Sequence, residues 1–506
     1  MRAVRTAIAR LLGLLRSLFG GRTEVPVGFV EIELDDSVAA LDKIEHIVVL
    51  MLENRSFDHM LGFLYAGNGN KSPSGQEFDG LTGNESNPGP DGAVKVFPID
   101  ASKQYAYFMP GADPGEGYMA TNSQLYGTTK PASGAVPGMD GFVNDFAYTL
   151  KWEANEKRPI LPGTTPEGIM GCFPPEMLPI LSGLARGYAV SDRWFGSVPT
   201  ETLPNRFFAL QATSQGYMDD KTRQCSAPSI FSHLEANGHD WAVYGYTSPP
   251  LTRDSVIDIR DAPDSRFGLF SDFQTAAAAG KLSPFSFLEP SWGPTGNSQR
   301  PNYDVALGEQ LIHDVYYAVR NGPGWEQTLL VITYDEHGGL YDHVPPPGGA
   351  TPPDSTPGEY EFDFTRFGPR VPSVLVSPYI EAGTVLRPPD GGPPFDHTSV
   401  LKTLETRFEV PPLTARDAAA PDVAAAFTLE QARDDDPLQG VQPPSSGVAQ
   451  SPAEMLGAAP GAERPSHLQE VQAELVNSIP PRRDDYHRPP PRQRTAREYD
   501  RYIKGR

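Results

Sequence analysis

Short apolar runs along the chain predict strands that are buried on both faces. These runs lack the alternation of apolar and polar residues expected of a half-exposed strand, and each ends in polar or turn-forming residues. They lie at residues 47–52, 188–190, 241–244, 285–288, 329–334 and 374–376. Helical periodicity falls between them, at residues 178–186, 231–237, 305–320 and 399–408. Strands that alternate with helices in this way predict an α/β fold with a mainly parallel central sheet and helices on both faces.

The composition divides the chain into three segments. Residues 41–430 contain all of the predicted strands and form the main domain, with loop-rich insertions at about 65–170 and 245–280. Residues 1–40 are predicted as an amphipathic helix followed by a linker. Residues 431–506 are rich in proline and are predicted as a largely disordered tail with a short helix at about 468–479.

The first twenty residues predict an association with a membrane surface. On a helix, Val4, Ile8, Leu11 and Leu15 share one face, and arginines lie opposite. Arginines also interrupt the apolar run, so the segment does not match a cleavable secretory signal. An interfacial helix is favoured over a degenerate export signal or a docked structural helix. The predicted localisation is therefore peripheral membrane, or export without an obvious cleavable signal peptide.

The charge balance narrows the choice of partners. The chain carries 42 lysines and arginines against 64 aspartates and glutamates, a formal net charge of −22. This excess of acid argues against a nucleic acid partner, because proteins that bind a phosphate backbone carry basic surfaces. An acidic protein that handles an anionic ligand needs a local positive field, and a bound metal supplies one. Cys172 and Cys225 cannot form a disulfide framework or a zinc–thiolate cluster, and whether they pair is left open.

Oxygen-bearing side chains follow two of the predicted strands. Glu53 and Asn54 come directly after IVVLML, and Asp335 and Glu336 come directly after LLVITY. Ligand sites in open α/β sheets lie beyond the carboxyl ends of the strands. Carboxylates that converge there repel one another without a cation, so the pair of motifs predicts one divalent metal ion, with Ca, Mg, Mn or Zn possible. The alternative for each residue taken alone is a helix or turn cap.

A threonine-containing turn supplies the third element of the predicted site. In SVPTETLPNRFFAL, a hydroxyl residue stands in a proline-bounded turn just ahead of a helix, where it can act as a nucleophile. A metal bound to the hydroxyl would lower its pKa. The alternative is a threonine that caps the helix. Thr200 and Thr202 both fit this description.

Taken together, these motifs resemble the phosphoesterase family that contains bacterial phospholipases C and the Francisella-type acid phosphatase, whose core fold is similar to that of alkaline phosphatase. The resemblance covers roughly residues 44–425 and identifies 41–430 as the catalytic domain. The matching stretches are IEHIVVLMLENRSFDHMLG, PGMDGFV, MGCFPPEMLPILSGLARGYAVSDRWFGSVPTETLPNRFFAL, VITYDEHGGLYDHVPPP, RFGPRVPSVLVSPYI and FDHTSVLKTLETRFEVPPLTARDAAAPD.

The resemblance implies specific roles for residues of this chain. It places one metal ion among Glu53, Asn54, Thr202, Asp335 and Glu336, and the spacing of threonine to PNR selects Thr202 as the nucleophile that becomes transiently phosphorylated. It also implies further catalytic and substrate-binding residues. These are His337 and His343 as proton donors or phosphate contacts, and Asn205 and His397 as substrate contacts, with a structural hydrogen-bonding role as the alternative for each histidine.

Two positions depart from the family pattern. Relatives usually carry a histidine where this chain has Glu116 in DPGE, and another histidine where this chain has Arg300 ahead of Pro301. We hypothesise that Glu116 and Arg300 form a compensating ion pair in the substrate pocket, with Arg300 offering a planar fork to phosphate oxygens.

The predicted activity is metal-dependent hydrolysis of phosphate esters, of the phospholipase C type and through a phospho-threonine intermediate. An acid phosphatase that acts on monoesters is the alternative within enzymes. A catalytically inactive membrane-binding protein is the alternative of another class. The predicted partners are a phospholipid or other phosphate-ester substrate and a membrane surface contacted through residues 1–20.

Overall fold

An eight-stranded sheet forms the centre of the computed structural model, which describes residues 41–221, 224–459, 463–478 and 495–499. The amphipathic helix predicted at residues 1–20 lies outside the described residues. Within the described ranges the strands are β1 (His46–Leu52), β2 (Ser86–Gly89), β3 (Gly92–Lys95), β4 (Phe97–Pro98), β5 (Gly171–Cys172), β6 (Ala189–Val190), β7 (Trp194–Phe195), β8 (Trp241–Gly245), β9 (Phe267–Leu269), β10 (Phe285–Leu288), β11 (Thr328–Tyr334), β12 (Ser373–Val376), β13 (Thr384–Val385) and β14 (Phe395–Asp396).

The central sheet has the order β13-β6-β12-β11-β1-β10-β8-β9. Strands β11, β1, β10, β8 and β9 pair in parallel, whereas β12 runs antiparallel to both of its neighbours. All seven residues of β11 are buried. Because successive side chains of a strand point to opposite faces, both faces of the sheet are covered. The predicted α/β fold with a mainly parallel central sheet is confirmed.

The α-helices of the domain pack against one another in two groups. The α-helices are α1 (Phe57–Leu61), α2 (Tyr118–Tyr126), α3 (Phe142–Asn155), α4 (Pro179–Gly187), α5 (Thr202–Gln211), α6 (Ile230–Ala236), α7 (Leu251–Ser255), α8 (Phe270–Ala278), α9 (Val305–Arg320), α10 (Thr398–Phe408), α11 (Ala415–Ala419), α12 (Pro452–Met455) and α13 (His467–Ser478). Helix α9 packs against α4 and α8, and α5 packs against α6 and α10. Helix α9 illustrates the local cause: Asp304 caps its first turn by accepting from the Ala306 amide, and its apolar face from Leu311 to Val319 is buried.

Each predicted strand and helix of the core ends within one residue of its observed bounds. The edge strands β9 and β13 carry no comparable signal, because they are three and two residues long. Cys172 and Cys225 are both buried and unpaired. In the described ranges, no helix combines the length and the apolar content that crossing a membrane requires.

Part of the segment predicted as a largely disordered tail packs on the catalytic domain. Leu438 is fully buried in the main core, and Asp436 accepts hydrogen bonds from the hydroxyls of Tyr316 and Tyr317 at 2.9 Å. Helix α13 buries Leu468, Val471 and Leu475 in a cluster with apolar residues of α5. The proline-rich composition of the tail does not predict these contacts, because a few apolar residues at helical spacing are enough to pack a short helix against the domain.

Candidate active site

The register of two neighbouring strands brings the predicted metal ligands together. Strands β1 and β11 are parallel, and their last residues, Leu52 and Tyr334, lie side by side. Consequently the residues that follow each strand meet at the same edge of the sheet. The backbone amide of Asn54 donates to Oδ1 of Asp335 at 2.9 Å, and the Asp335 amide donates to the Leu52 carbonyl at 3.3 Å. Glu53 and Glu336 complete this buried group, each with about 1% of its surface exposed.

The structure distinguishes between the two candidate threonines. Thr202 is the first residue of α5, and its Oγ1 donates to Oδ1 of Asn54 at 3.1 Å. Thr200 instead donates its Oγ1 to the Met218 carbonyl at 2.6 Å. Only Thr202 of the pair therefore hydrogen bonds to a predicted metal ligand.

Asn205 shapes the turn that presents Thr202. Its Oδ1 accepts from the Val198 amide at 3.1 Å, and its Nδ2 donates to the carbonyl of Thr200 at 2.9 Å and to that of Glu201 at 3.1 Å. The side chain is fully buried, and both ends of its amide are satisfied by backbone groups. In this geometry Asn205 holds the loop that precedes α5.

The electrostatics of the buried group fit a divalent cation. Burial, followed by repulsion from neighbouring carboxylates that include Asp335, raises the pKa values of Glu53 and Glu336. Oε2 of Glu53 and Oε1 of Glu336 are buried without a hydrogen-bond partner. Buried carboxylate oxygens without partners are costly, and a hard cation coordinated by oxygen would compensate them. The residues that can hold it are Glu53, Asn54, Thr202, Asp335 and Glu336.

Arg206 joins the threonine helix to the sheet. It lies one turn after Thr202 on α5, and its Nε donates to Oδ2 of Asp335 at 2.9 Å. Its Nη2 donates to the carbonyls of Met51 and Leu52, both at 3.1 Å, and its guanidinium lies 4.6 Å from the ring centroid of Trp292. The PNR motif drew attention to Asn205, but the fixed fork of Arg206 makes the contacts that connect these elements.

The hypothesised ion pair between Glu116 and Arg300 is present. Nη2 of Arg300 lies 2.8 Å from Oε1 of Glu116 and 2.9 Å from Oδ2 of Asp113, while Nη1 donates to Oε1 of Glu53 at 2.8 Å. Oε2 of Glu116 accepts from Nδ2 of Asn54 at 2.5 Å. Burial raises the pKa of Glu116 to about 7. Arg300 thus bridges the insertion that carries Glu116 to the group of predicted metal ligands.

Arg55 holds the loop that carries Arg300. Its Nη2 donates to the Arg300 carbonyl at 3.0 Å, its Nε to the Gln299 carbonyl at 2.5 Å, and its Nη1 to the Met109 carbonyl at 2.8 Å. This role was missed from the sequence. The sequence carried one signal of this role. A charged residue, Arg55, directly follows the Glu53–Asn54 motif, and a charged residue is unusual inside a fully buried segment.

Two predicted histidines are buried and hydrogen bonded. His397 donates from Nε2 to the Asp335 carbonyl at 2.6 Å and accepts at Nδ1 from the Trp194 indole at 3.4 Å. Nε2 of His337 bonds Oε1 of Gln124 at 2.7 Å, and its Nδ1 lies 3.1 Å from Oε2 of Glu336. Burial lowers the pKa of His337 to about 3 and that of His397 to about 4, so both rings are neutral.

His343 belongs to a second cluster of charged groups. Its Nδ1 lies 2.7 Å from Oδ2 of Asp58 and its Nε2 lies 3.3 Å from Oδ1 of Asp79. These carboxylates outweigh the effect of burial and raise the pKa of His343 to about 10. Asp58, Asp342 and His343 are close enough to hold a metal ion. However, Arg370 already pairs with Asp58 at 2.8 Å and with Asp342 at 2.9 Å, so two cationic side chains balance the two buried aspartates.

Comparisons with known proteins identify the family of this chain. The model of the Phosphoesterase family matches residues 44–411. The non-specific phospholipase C1 of Arabidopsis thaliana is 36% identical over 86% of this chain and 78% of its own length. Phospholipase C A of Mycobacterium tuberculosis is 29% identical over 77% of this chain and 78% of its own length. Among solved structures, an alkaline phosphatase superfamily protein from Vibrio parahaemolyticus aligns with a TM-score of 0.32 and 12% identity, over 49% of this chain and 64% of that one.

The protein is a hydrolase that acts on phosphate esters, and the sheet edge with its buried carboxylates and hydroxyl is the candidate active site. The chain belongs to the Phosphoesterase family.

Proposed function

We propose that this phosphoesterase is a metal-dependent phospholipase C that cleaves phospholipids through Thr202. The observation that carries the proposal is the hydrogen bond of 3.1 Å from Oγ1 of Thr202 to Asn54, whose backbone amide in turn donates to Asp335. Relatives named phospholipases C match over more than three quarters of the chain, which favours a phospholipid as the substrate.

Glu53, Asn54, Thr202, Asp335 and Glu336 would hold the metal. A divalent cation bound by them would supply positive charge that favours the ionised hydroxyl and stabilises charge on the phosphoryl oxygens. The chain's own residues prepare this geometry. Arg206 orients Asp335 from one side, and His397 donates to the Asp335 backbone carbonyl from the other.

The reaction would proceed in two displacements. Oγ1 of Thr202 forms a bond to phosphorus while the bond from phosphorus to the glycerol oxygen breaks, and diacylglycerol leaves after it takes up a proton. Water then attacks the phospho-threonine, releases the phosphorylated headgroup and restores the hydroxyl. Arg300 would offer its guanidinium to the phosphoryl oxygens in exchange for its present carboxylate partners. His337 and His343 would act on the proton transfers through their neighbours Glu336 and Asp58.

A pair of threonine variants tests the nucleophile. We expect Thr202→Ala to lower kcat/KM on phosphatidylcholine by at least about a thousandfold, because no other hydroxyl hydrogen bonds to Asn54 within the described residues. Thr200→Ala is the matched control, since it removes the same group two residues away and costs only about 1 kcal/mol of stability. Equal loss in both variants, or full activity of Thr202→Ala, would show that Thr202 is not the nucleophile.

The products and the metal are tested separately. Release of a phosphorylated headgroup from phosphatidylcholine supports a phospholipase C, whereas turnover restricted to a chromogenic phosphomonoester indicates an acid phosphatase. Metal binding is measured without turnover, as the rise in melting temperature when Ca, Mg, Mn or Zn is added to chelator-treated protein. We expect Glu336→Gln to abolish this rise. A rise that Glu336→Gln leaves unchanged would place the metal elsewhere.

A further inference from the structure

One face of helix α3 exposes large aromatic side chains. Tyr148 is 70% exposed and Trp152, one turn later, is 42% exposed. Lys151 is exposed beside them, whereas the opposite side of the helix buries Phe142 and Phe146 in the core. A helix of a globular domain normally turns its aromatic residues inward. The exposed pair therefore calls for a partner.

The surroundings of these aromatics are basic, although the whole chain is strongly acidic. Lys151, Lys157 and Arg158 are exposed on or directly after this helix, where Glu156 is the exposed acid of residues 148–158, and Glu470 is exposed at the cavity that Lys157 and Arg158 line. The Arg158 guanidinium lies 4.7 Å from the Trp152 ring centroid. We define the α3 surface as Tyr148, Lys151, Trp152, Lys157 and Arg158. Its combination of Trp and Tyr rings with cationic side chains is typical of protein surfaces that bind at the interface between lipid headgroups and water.

The α3 surface adjoins a cavity that reaches Arg300. A cavity of about 310 Å³ is lined by Lys157 and Arg158 at the end of α3 and by Arg300. Arg300 in turn pairs with Glu53 and Glu116. Arg158 therefore contacts Trp152 and also lines the cavity that reaches Arg300.

We propose that the α3 surface docks on a phospholipid bilayer that contains anionic lipids and so brings the cavity to the bilayer. The inference rests on the proposed phospholipase C function and names how its substrate is presented. Lipid headgroups with negative charge complement the three cationic residues, and each such residue near an anionic surface strengthens binding.

A second copy of the chain fits the α3 surface less well. In a twofold contact the same patch faces itself, which would oppose Lys151, Lys157 and Arg158 to their own copies. Two aromatic side chains also provide far less than the roughly 800 Å² that each partner of a stable interface buries.

Vesicle sedimentation tests the proposal without turnover. The full chain with Thr202→Ala is mixed with vesicles of phosphatidylcholine, with and without phosphatidylglycerol. We expect Tyr148→Ala with Trp152→Ala to weaken binding to the anionic vesicles by roughly tenfold. We expect Lys151→Glu to weaken it by about fivefold or more, chiefly in the anionic set. Two variants serve as controls. Leu307→Ala removes another exposed apolar side chain. Lys281→Glu reverses an exposed charge that precedes β10, towards the amino ends of the parallel strands.

A second measurement separates this proposal from the enzymatic one. With Thr202 intact, the aromatic double variant should hydrolyse a water-soluble phosphodiester as the wild type does and hydrolyse vesicles more slowly. Unchanged vesicle binding by that variant would overturn the docking proposal, and so would an α3-dependent dimer that binds no vesicles. Vesicle binding that depends on the α3 surface, without hydrolysis of any phospholipid, would instead overturn the proposed function.

Discussion

Arg206 and Asp335 form a buried ion pair of 2.9 Å that links helix α5, which carries Thr202, to the edge of the sheet. Asp335 also accepts from the amides of Asn54 and Glu336, so its carboxylate is held from three directions. Arg206 is 4% exposed, and its other contacts are backbone carbonyls at the end of β1. This arginine, one turn after Thr202 on α5, therefore helps to fix the position of Thr202 relative to the predicted metal ligands.

Removal of Arg206 is expected to destabilise the protein strongly. In chelator-treated protein, Arg206→Ala leaves the buried Asp335 carboxylate without a cationic partner, so the free energy of unfolding should fall by about 3–5 kcal/mol in urea denaturation. Lys71→Ala is the matched control, because Lys71 and Glu77 form an ion pair of 2.7 Å that is more than half exposed. That pair should contribute at most about 1 kcal/mol. Equal losses in the two variants would contradict the role given to Arg206.

Arg300 is expected to act together with Glu116. We expect Arg300→Ala to lower kcat/KM by roughly 10- to 100-fold, and Arg300→Lys to restore little of it, because a lysine lacks the planar fork. In a double-mutant cycle, Arg300→Ala and Glu116→Gln should be non-additive by about 0.5–3 kcal/mol. Arg366→Ala serves as the control, since that arginine hydrogen bonds to Tyr118, Tyr126 and Asn122. Additive effects of Arg300 and Glu116 would show that the pair is not functionally coupled.

Glu309 gives the stability of the protein a defined pH dependence. Its carboxylate accepts from the Ile180 and Leu181 amides at the start of α4, and burial raises its pKa from 4.5 to about 8. The folded state therefore binds this proton more tightly than the unfolded state, so the stabilisation is complete below about pH 4.5 and is lost as the pH rises towards about 8.

We expect Glu309→Gln to flatten that pH dependence. The variant should be less stable than the wild type near pH 5, because its amide cannot accept from both backbone amides, and the deficit should shrink near about pH 9. Glu156→Gln, at an exposed glutamate, should leave the profile unchanged. Urea denaturation across this range measures both. A deficit that grows with pH would refute the assignment.

His343 should stabilise the fold most strongly at acidic and neutral pH. Because its pKa rises from 6.5 to about 10 beside Asp58 and Asp79, its stabilisation is complete below about pH 6.5 and is lost as the pH approaches about 10. His343→Gln should therefore be costly near pH 6 and nearly neutral near about pH 10. His313→Gln is the control. The His313 side chain is 21% exposed, close to the 20% of His343, but it pairs with one aspartate, Asp314, rather than with two. A cost independent of pH would rule out an ionic role.

The sequence predicted the core of the fold and the candidate metal-binding motifs for one reason. Strands β1 and β11 are continuous apolar runs, and in a parallel sheet the residues after such strands must share an edge. The sequence alone therefore predicts that four residues lie together at this edge: Glu53, Asn54, Asp335 and Glu336. The choice between Thr200 and Thr202 rested on a family spacing, and the hydrogen bonds of the two hydroxyls now supply a physical distinction.

Other features depended on contacts that no local pattern encodes. Asp113 and Glu53 join the predicted pair of Arg300 and Glu116, and Arg55 holds a loop that lies 245 positions away. The environment of His343 was also hidden, since Asp58 and Asp79 come from separate segments. The tail was predicted from its proline-rich composition to be largely disordered, with one short helix. In the structure, Leu438, Leu468 and Val471 are buried against the domain.

By itself, the sequence determined the α/β architecture, the strand ends and the residue types able to bind a metal and attack a phosphate ester, because periodicity and strand termini are local properties. Beyond the predicted pair of Glu116 and Arg300, tertiary structure alone decided which partners those residues have: Arg206 for Asp335, Glu53 for Arg300, and aspartates for His343. The physical reason is that pKa values and hydrogen bonds depend on burial and on distances of a few ångströms, which are set when remote segments pack together.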